Sequence, residues 1–181
     1  MIKVINFALY QLGWFACVLL GATGFHWLGP LAVVAIIAYH LRTVHSPGAE
    51  SRLLFRALLV GLMWENFLTL SGLLVYPTGQ PLGILAPLWI LAMWPLLAIT
   101  LNVSLRWLKG KPWLAALFGG IGGPLAFLAG ERLGAVMFPD TYLAMAVLAL
   151  GWACLFPLMT KLAERHDGYP GGLRQPAEVM S

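Results

Sequence analysis

One carboxyl group stands in the most apolar part of the chain. Glu65 lies at the centre of the stretch GLMWENFLTLSGLLVYP, where Gly61, Thr69 and Gly72 share its face of a predicted helix. Small residues on that face place the carboxyl group against protein and away from lipid. Burial favours the neutral acid unless a cation pairs with it, so the group can donate a hydrogen bond, carry a proton or bind a cation.

A second set of polar side chains is expected to converge in three other predicted helices, near the helix ends that are flanked by Lys and Arg residues. Its members can all form hydrogen bonds: Asn6, Tyr10, Gln11, His40, Asn102 and Arg106. Amides at such depths either join helices or line a pocket for a polar lipid headgroup, in which Arg106 would contact the phosphate. Both interpretations stay open.

The remaining reactive side chains have no spacing that predicts catalysis or metal binding. The histidines lack HxxxH and HExxH spacing, so no metal ion is expected. Cys17 and Cys154 lack CxxC spacing and are expected to pack as small residues. There is no Ser–His–acid set and no glycine-rich nucleotide loop, so neither an enzyme nor a cofactor is predicted. Glu131 and Arg132 are interpreted as markers of the outer membrane interface.

The composition predicts that these groups are held inside a membrane. Of the 181 residues, 60% are hydrophobic and 10% are charged, which leaves too little polar surface to cover a water-soluble domain. Six apolar runs, each close to the length of about 20 residues that crosses a bilayer, are predicted as transmembrane helices: 7–20, 27–40, 53–76, 84–105, 113–130 and 141–162. The predicted fold is an all-α six-helix transmembrane bundle over 1–162, with a disordered cytoplasmic tail at 163–181.

The basic residues predict the orientation of the bundle. All but Arg132 of the 11 lysines and arginines lie on one side: at residue 3, at 42–56, at 106–111 and at 161–174. Because short basic loops stay in the cytoplasm, both termini are predicted to be cytoplasmic. The net charge of +4 follows from this asymmetry and from attraction to anionic lipid. A nucleic-acid partner is not predicted.

Small residues predict where the helices pack most closely. The expected packing positions are Gly61, Gly72, Gly119, Gly120, Gly123, Pro124 and Gly130. Pro124 frees the carbonyl group of Gly120, so the fifth helix is either kinked and tightly packed or broken and substrate-lining. A count of about 1.5 Å per residue places Glu65 at the same depth, near the midplane, and predicts a hydrogen bond from its carboxyl group to that carbonyl.

A constant shift along the sequence aligns the second and third predicted hairpins. A shift of 62 residues pairs Gly61 with Gly123, Gly72 with Gly134, Tyr76 with Phe138 and Pro95 with Pro157. The two hairpins are either parallel copies of one unit, as membrane proteins often contain, or matched by chance in a Gly-rich chain.

Three strings of this sequence resemble a known family, the bacterial membrane proteins called domain of unknown function 2878: NFALYQLGWFACVL, APLWILAMWPLLAITLNVSLRWL and LAALFGGIGGPLAFLAGERLGAV. The resemblance covers the chain to about residue 162. Members of that family often have Asp at the position of Glu65, which keeps the carboxyl group. The resemblance implies a small inner-membrane protein, often encoded among lipid-modifying enzymes of the cyclopropane-synthase and flavin-oxidase type.

Two functional classes follow. The first is a lipid-handling or accessory protein for membrane-lipid modification, whose small-residue groove holds an acyl chain while Asn102 and Arg106 contact the headgroup. The alternative is a small proton-linked transporter or permease in which Glu65 changes protonation. An intramembrane enzyme and a pure scaffold remain as further alternatives. A lateral opening between helices would favour the first class, and a water-filled path to Glu65 would favour the second.

Overall fold

Six α-helices make up the described part of the chain, residues 1–169, in the computed structural model. They are α1 (Ile2–Gly21), α2 (Leu28–Thr43), α3 (Pro47–Leu70), α4 (Leu88–Leu101), α5 (Pro112–Arg132) and α6 (Thr141–Arg165). Within these residues the one β-type pairing is an isolated bridge, so the prediction of an all-α fold is confirmed. The predicted tail begins inside α6, which continues to Arg165, and its residues 170–181 lie outside the described residues.

Four of the six helices are long and apolar enough to cross a membrane by length and composition: Ile2–Gly21, Pro47–Leu70, Pro112–Arg132 and Thr141–Arg165. The other two, α2 and α4, are apolar but shorter, with 16 and 14 residues. At about 1.5 Å per residue, α4 is about 21 Å long, less than the about 30 Å of a hydrocarbon core. It is shorter than the predicted run 84–105 at both ends, because it starts only after the extended Pro87 and gives way to turns after Leu101.

The short helix α4 lies at the centre of the bundle. It packs against α1, α2, α3 and α6, and 10 of its 14 residues are buried. A helix that is apolar on all sides is expected to be enclosed in this way. The long helices on its periphery keep many large apolar side chains exposed, as lipid-facing helices do.

The small-residue strip of α5 packs directly on α6. A Cβ atom at Gly119 or Gly123 would overlap the side chain or backbone of Phe156 and Trp152, and one at Gly120 would lie 3.3 Å from the side chain of Ala153. The prediction that another helix lies close against this strip is therefore confirmed. The helix also continues unbroken through Pro124, which agrees with the tightly packed interpretation and not with a broken helix.

The ends of α3 and α5 have the same backbone geometry. Each helix is followed by a glycine with positive φ, 72° at Gly72 and 79° at Gly134, a conformation that glycine adopts at little cost. A Cβ atom at Gly72 would meet nothing within 4 Å, so this glycine serves the turn and not the close packing that was predicted for it. The segments after the two turns pair through an antiparallel bridge between Val75 and Met137.

Candidate functional site

A cleft of about 240 Å³ lies between α1 and α5, with α4 as its floor. The floor is formed by buried aromatic side chains, among them Trp89 and Trp94 of α4. The rim includes Phe7 of α1, which is 49% exposed, and Phe118 of α5, which is 42% exposed. An exposed rim over a buried floor means that the cleft opens sideways on the surface of the bundle.

The carboxyl group of Glu65 lies in the floor of this cleft. It is 0% exposed, which confirms the prediction that it is buried in protein. The indole N–H of Trp94 donates to Oε1 at 3.0 Å, and the phenol O–H of Tyr76 donates to Oε2 at 3.0 Å. The helix α3 thus brings the acid to α4 and to the loop that follows its own last turn.

Two expectations about Glu65 are wrong. The predicted hydrogen bond to the carbonyl group of Gly120 is not formed, and the acid accepts from an indole and a phenol instead. Its place along the helix also differs, because α3 runs from Pro47 to Leu70 and not over 53–76. Glu65 is therefore about 10 Å from the centre of α3, toward its C-terminal end.

A second buried polar site surrounds Glu50, at the opposite end of α3. One carboxylate oxygen accepts hydrogen bonds from Asn102 Nδ2 at 2.6 Å and from the backbone N–H of Gly168 at 3.0 Å. The other oxygen lies 3.2 Å from His40 Nε2. The side chain of Asn102 also donates to the carbonyl group of His166 at 3.1 Å. These five residues, the Glu50 cluster, join α2, α3 and α4 to the segment that follows α6.

The Glu50 cluster was only partly predictable. Sequence reasoning placed His40 and Asn102 together, as the structure does. It missed Glu50 because the third predicted helix began at residue 53, which left Glu50 in the preceding loop, whereas α3 begins at Pro47. The available signal was spacing. Glu50, Ala57, Gly61 and Glu65 fall on one buried stripe of α3.

Arg106 is already paired with an acid. Its guanidinium Nη2 lies 2.6 Å from Oδ2 of Asp167, and Lys109 Nζ lies 3.0 Å from the same oxygen. Burial by itself would raise the pKa of Asp167, but the hydrogen bonds from Arg106 and Lys109 outweigh it and lower that pKa below its usual value. This arrangement attaches the segment after α6 to the 106–109 turn that follows α4. It favours the interpretation of these polar residues as links between helices over the headgroup pocket.

The other predicted polar residues lie apart from the Glu50 cluster. Asn6 donates to the carbonyl oxygen of Ile99 at 3.0 Å and accepts from the hydroxyl of Ser104 at 2.8 Å, which ties α1 to α4. Tyr10 lines the cleft, and Gln11 is half-buried. Within residues 1–169 no group of three or more His, Cys, Asp or Glu side chains is placed to hold a metal ion.

Comparison with known proteins gives one match. The family described as proteins of unknown function (DUF2878) matches residues 3–158, which include the whole cleft and both buried acids. No curated protein and no solved structure matches the chain. The resemblance drawn from the three strings is confirmed, and the chain belongs to the DUF2878 family.

Proposed function

We propose that this protein is a lipid-handling protein of the membrane and that the cleft between α1 and α5 holds the apolar chain of a lipid. The observation that carries the proposal is the side-opening cleft itself. Its exposed rim is on the outer surface of the bundle, where lipid would be the solvent, and its lining is almost entirely aromatic and aliphatic. Ligand sites of this kind are mostly apolar with few polar groups.

The dimensions of the cleft suit an extended chain. Its lining along α1 reaches from Phe7 to Val18, and along α5 from Phe118 to Gly130. At about 1.5 Å per residue each wall is about 17 Å long, parallel to the helix axes. An acyl or isoprenoid chain that enters from the bilayer would therefore lie along the bundle without bending.

A proton-linked transporter is less well supported. Such a protein would need a polar path by which water or a substrate reaches Glu65. The floor around this acid consists of Tyr76, Trp89 and Trp94. The rest of the lining, within residues 1–169, is apolar apart from Tyr10, Thr100 and the indole N–H groups of Trp14 and Trp152. A lateral apolar opening is the feature that distinguishes lipid handling from transport.

The proposal places all six helices across a bacterial inner membrane, with both termini in the cytoplasm and lipid-modifying enzymes as partners. Its topology is supported by contacts that gather the basic segments at one end. The Glu50 cluster joins the end of α2, the start of α3, the end of α4 and the segment after α6. The short helices α2 and α4 would either cross a locally thinned bilayer or be shielded from lipid by the longer helices.

The proposal also includes a parallel repeat of α3–α4 and α5–α6. After α3, Leu73 N–H donates to the carbonyl oxygen of Leu68, and after α5, Ala135 N–H donates to that of Gly130, the equivalent residues at the shift of 62. The bridged residues Val75 and Met137 are also equivalent at this shift. The copies differ between their helices, because 71–87 is a longer connection than 133–140.

Native mass spectrometry of gently extracted protein tests the proposal. Gly122 lines the cleft, and a Cβ atom there meets nothing within 4 Å, so Gly122→Trp would fill the cleft without disturbing the helices. Leu125→Trp is the matched control, since Leu125 lies on the same helix, is 55% exposed and is not in the lining. We expect bound lipid on the wild type and on the control but not on Gly122→Trp. Equal lipid occupancy in all three would refute the proposal.

A further inference from the structure

The charges around the cleft restrict the kind of lipid that it can hold. Within residues 1–169 no Lys, Arg or His side chain lines it, and the one carboxyl group in its lining is that of Glu65. Arg106, the cation closest in sequence to the floor helix, is engaged by Asp167 outside the lining. A phosphate or carboxylate brought into the cleft would lose its hydration and find no cation, which is costly in an apolar site.

The hydrogen-bonding capacity of Glu65 is only half used. A carboxyl group offers about four lone-pair positions, and Glu65 accepts one hydrogen bond at each oxygen, from Trp94 and from Tyr76. Its other lone-pair positions and, in the neutral acid, its own O–H have no partner among the described residues. A ligand group with an O–H would supply one.

The same floor also contains donors without acceptors. Trp152 stacks on Trp94 with ring centroids 5.0 Å apart, and both Trp152 and Trp89 line the cleft. Within residues 1–169 the indole N–H groups of Trp152 and Trp89 are buried and have no hydrogen-bond partner. A buried polar group without a partner is unfavourable and points to a missing one.

We infer that the ligand of the cleft is an uncharged lipid alcohol, whose hydroxyl group forms a hydrogen bond with Glu65 in the floor. A hydroxyl group is both donor and acceptor, so it complements a carboxyl group whose remaining hydrogen-bonding positions are unpaired. A hydrocarbon would leave these positions unpaired, and a carboxylate would lose its hydration in a lining that supplies no cation among the described residues. This inference rests on the proposed function and names the chemical class of its ligand.

The test uses four photoactivatable probes of equal chain length, which carry a terminal hydroxyl, carboxylate, ammonium or methyl group. Each is incubated with the full-length protein in detergent, and labelled peptides are located by mass spectrometry. We expect the alcohol to label the walls of the cleft about tenfold more strongly than the carboxylate or the methyl probe, since one buried hydrogen bond contributes up to about tenfold in affinity. The ammonium probe is expected to fall below the alcohol because of its desolvation cost.

Glu65→Leu removes the hydrogen-bonding group from the floor, whereas Glu65→Gln keeps a donor and an acceptor there. The ratio of alcohol to methyl labelling should therefore fall to near one in Glu65→Leu and stay close to the wild-type value in Glu65→Gln. An unchanged ratio in a folded Glu65→Leu variant would overturn the lipid alcohol, and so would equal labelling of the wild type by the alcohol and methyl probes or stronger labelling by the carboxylate or ammonium probe. Labelling that Gly122→Trp fails to block would instead overturn the proposed function.

Discussion

Replacing Glu50 by Ala is expected to destabilise the protein strongly. The substitution removes the acceptor of Asn102 Nδ2 and of the Gly168 N–H, together with the partner of His40 Nε2. Glu50 and Asn102 are 0% exposed and His40 is 4% exposed, so water cannot replace the lost contacts at the surface. The segment after α6 would lose its attachment to α3.

The magnitude follows from these three contacts. Hydrogen bonds within membrane proteins contribute about 0.6 kcal/mol on average and up to about 1.7 kcal/mol, and a buried donor without a partner costs about 1–3 kcal/mol. At about 1 kcal/mol for each contact the loss is about 3 kcal/mol. For a chain of this length that corresponds to a decrease in melting temperature of about 9 °C.

Thermal melting in a mild detergent, followed by tryptophan fluorescence, measures the loss. Glu164→Ala is the matched control, because Glu164 is exposed on α6 and accepts only from the backbone N–H of Gly110 among the described residues. We expect the control to melt within about 2 °C of the wild type, and Glu50→Gln to fall between the two, since it keeps one acceptor oxygen. If Glu50→Ala melts as the wild type does, the cluster does not stabilise the fold.

Three further outcomes are expected. Gly123→Leu should lower the melting temperature more than Leu117→Ala does, because a side chain at Gly123 would overlap Trp152 whereas Leu117 is 54% exposed. Equal melting temperatures would show that the small-residue strip of α5 does not pack closely on α6. Glu65→Leu should lower the free energy of unfolding by about 2 kcal/mol in a denaturation assay, because two buried donors lose their acceptor. Glu65→Gln can still form hydrogen bonds with both groups and should keep the wild-type stability. Equal stabilities of the two variants would contradict the buried hydrogen bonds. An alkaline phosphatase fused after Ser181 should be inactive, since that enzyme folds only outside the cytoplasm, and an active fusion would reverse the proposed orientation.

Much of the architecture was determined by local properties of the sequence. Each of the six apolar runs overlaps a helix, because a backbone in an apolar medium must satisfy its hydrogen bonds within the segment. Spacing also identified Gly119 and Gly123 as residues that let another helix approach. The burial of Glu65 was predictable for the same reason, since Gly61 shares its face. These features depend on residues within one or two turns of one another.

What the tertiary structure alone decided is which groups meet across helices. The donors of Glu65 lie 11 and 29 residues away, at Tyr76 and Trp94, and Glu50 accepts from Gly168 at a separation of 118 residues. The bounds of α3 place Glu65 nearer to the C-terminal end of that helix than predicted, and a segment beyond the predicted bundle supplies the acid for Arg106. Such pairings depend on the rotation of each helix about its axis and on its register against its neighbours. A shift of one residue turns a side chain by about 100°, so hydrophobic periodicity defines the buried face of a helix but not the atom that each polar group on it reaches.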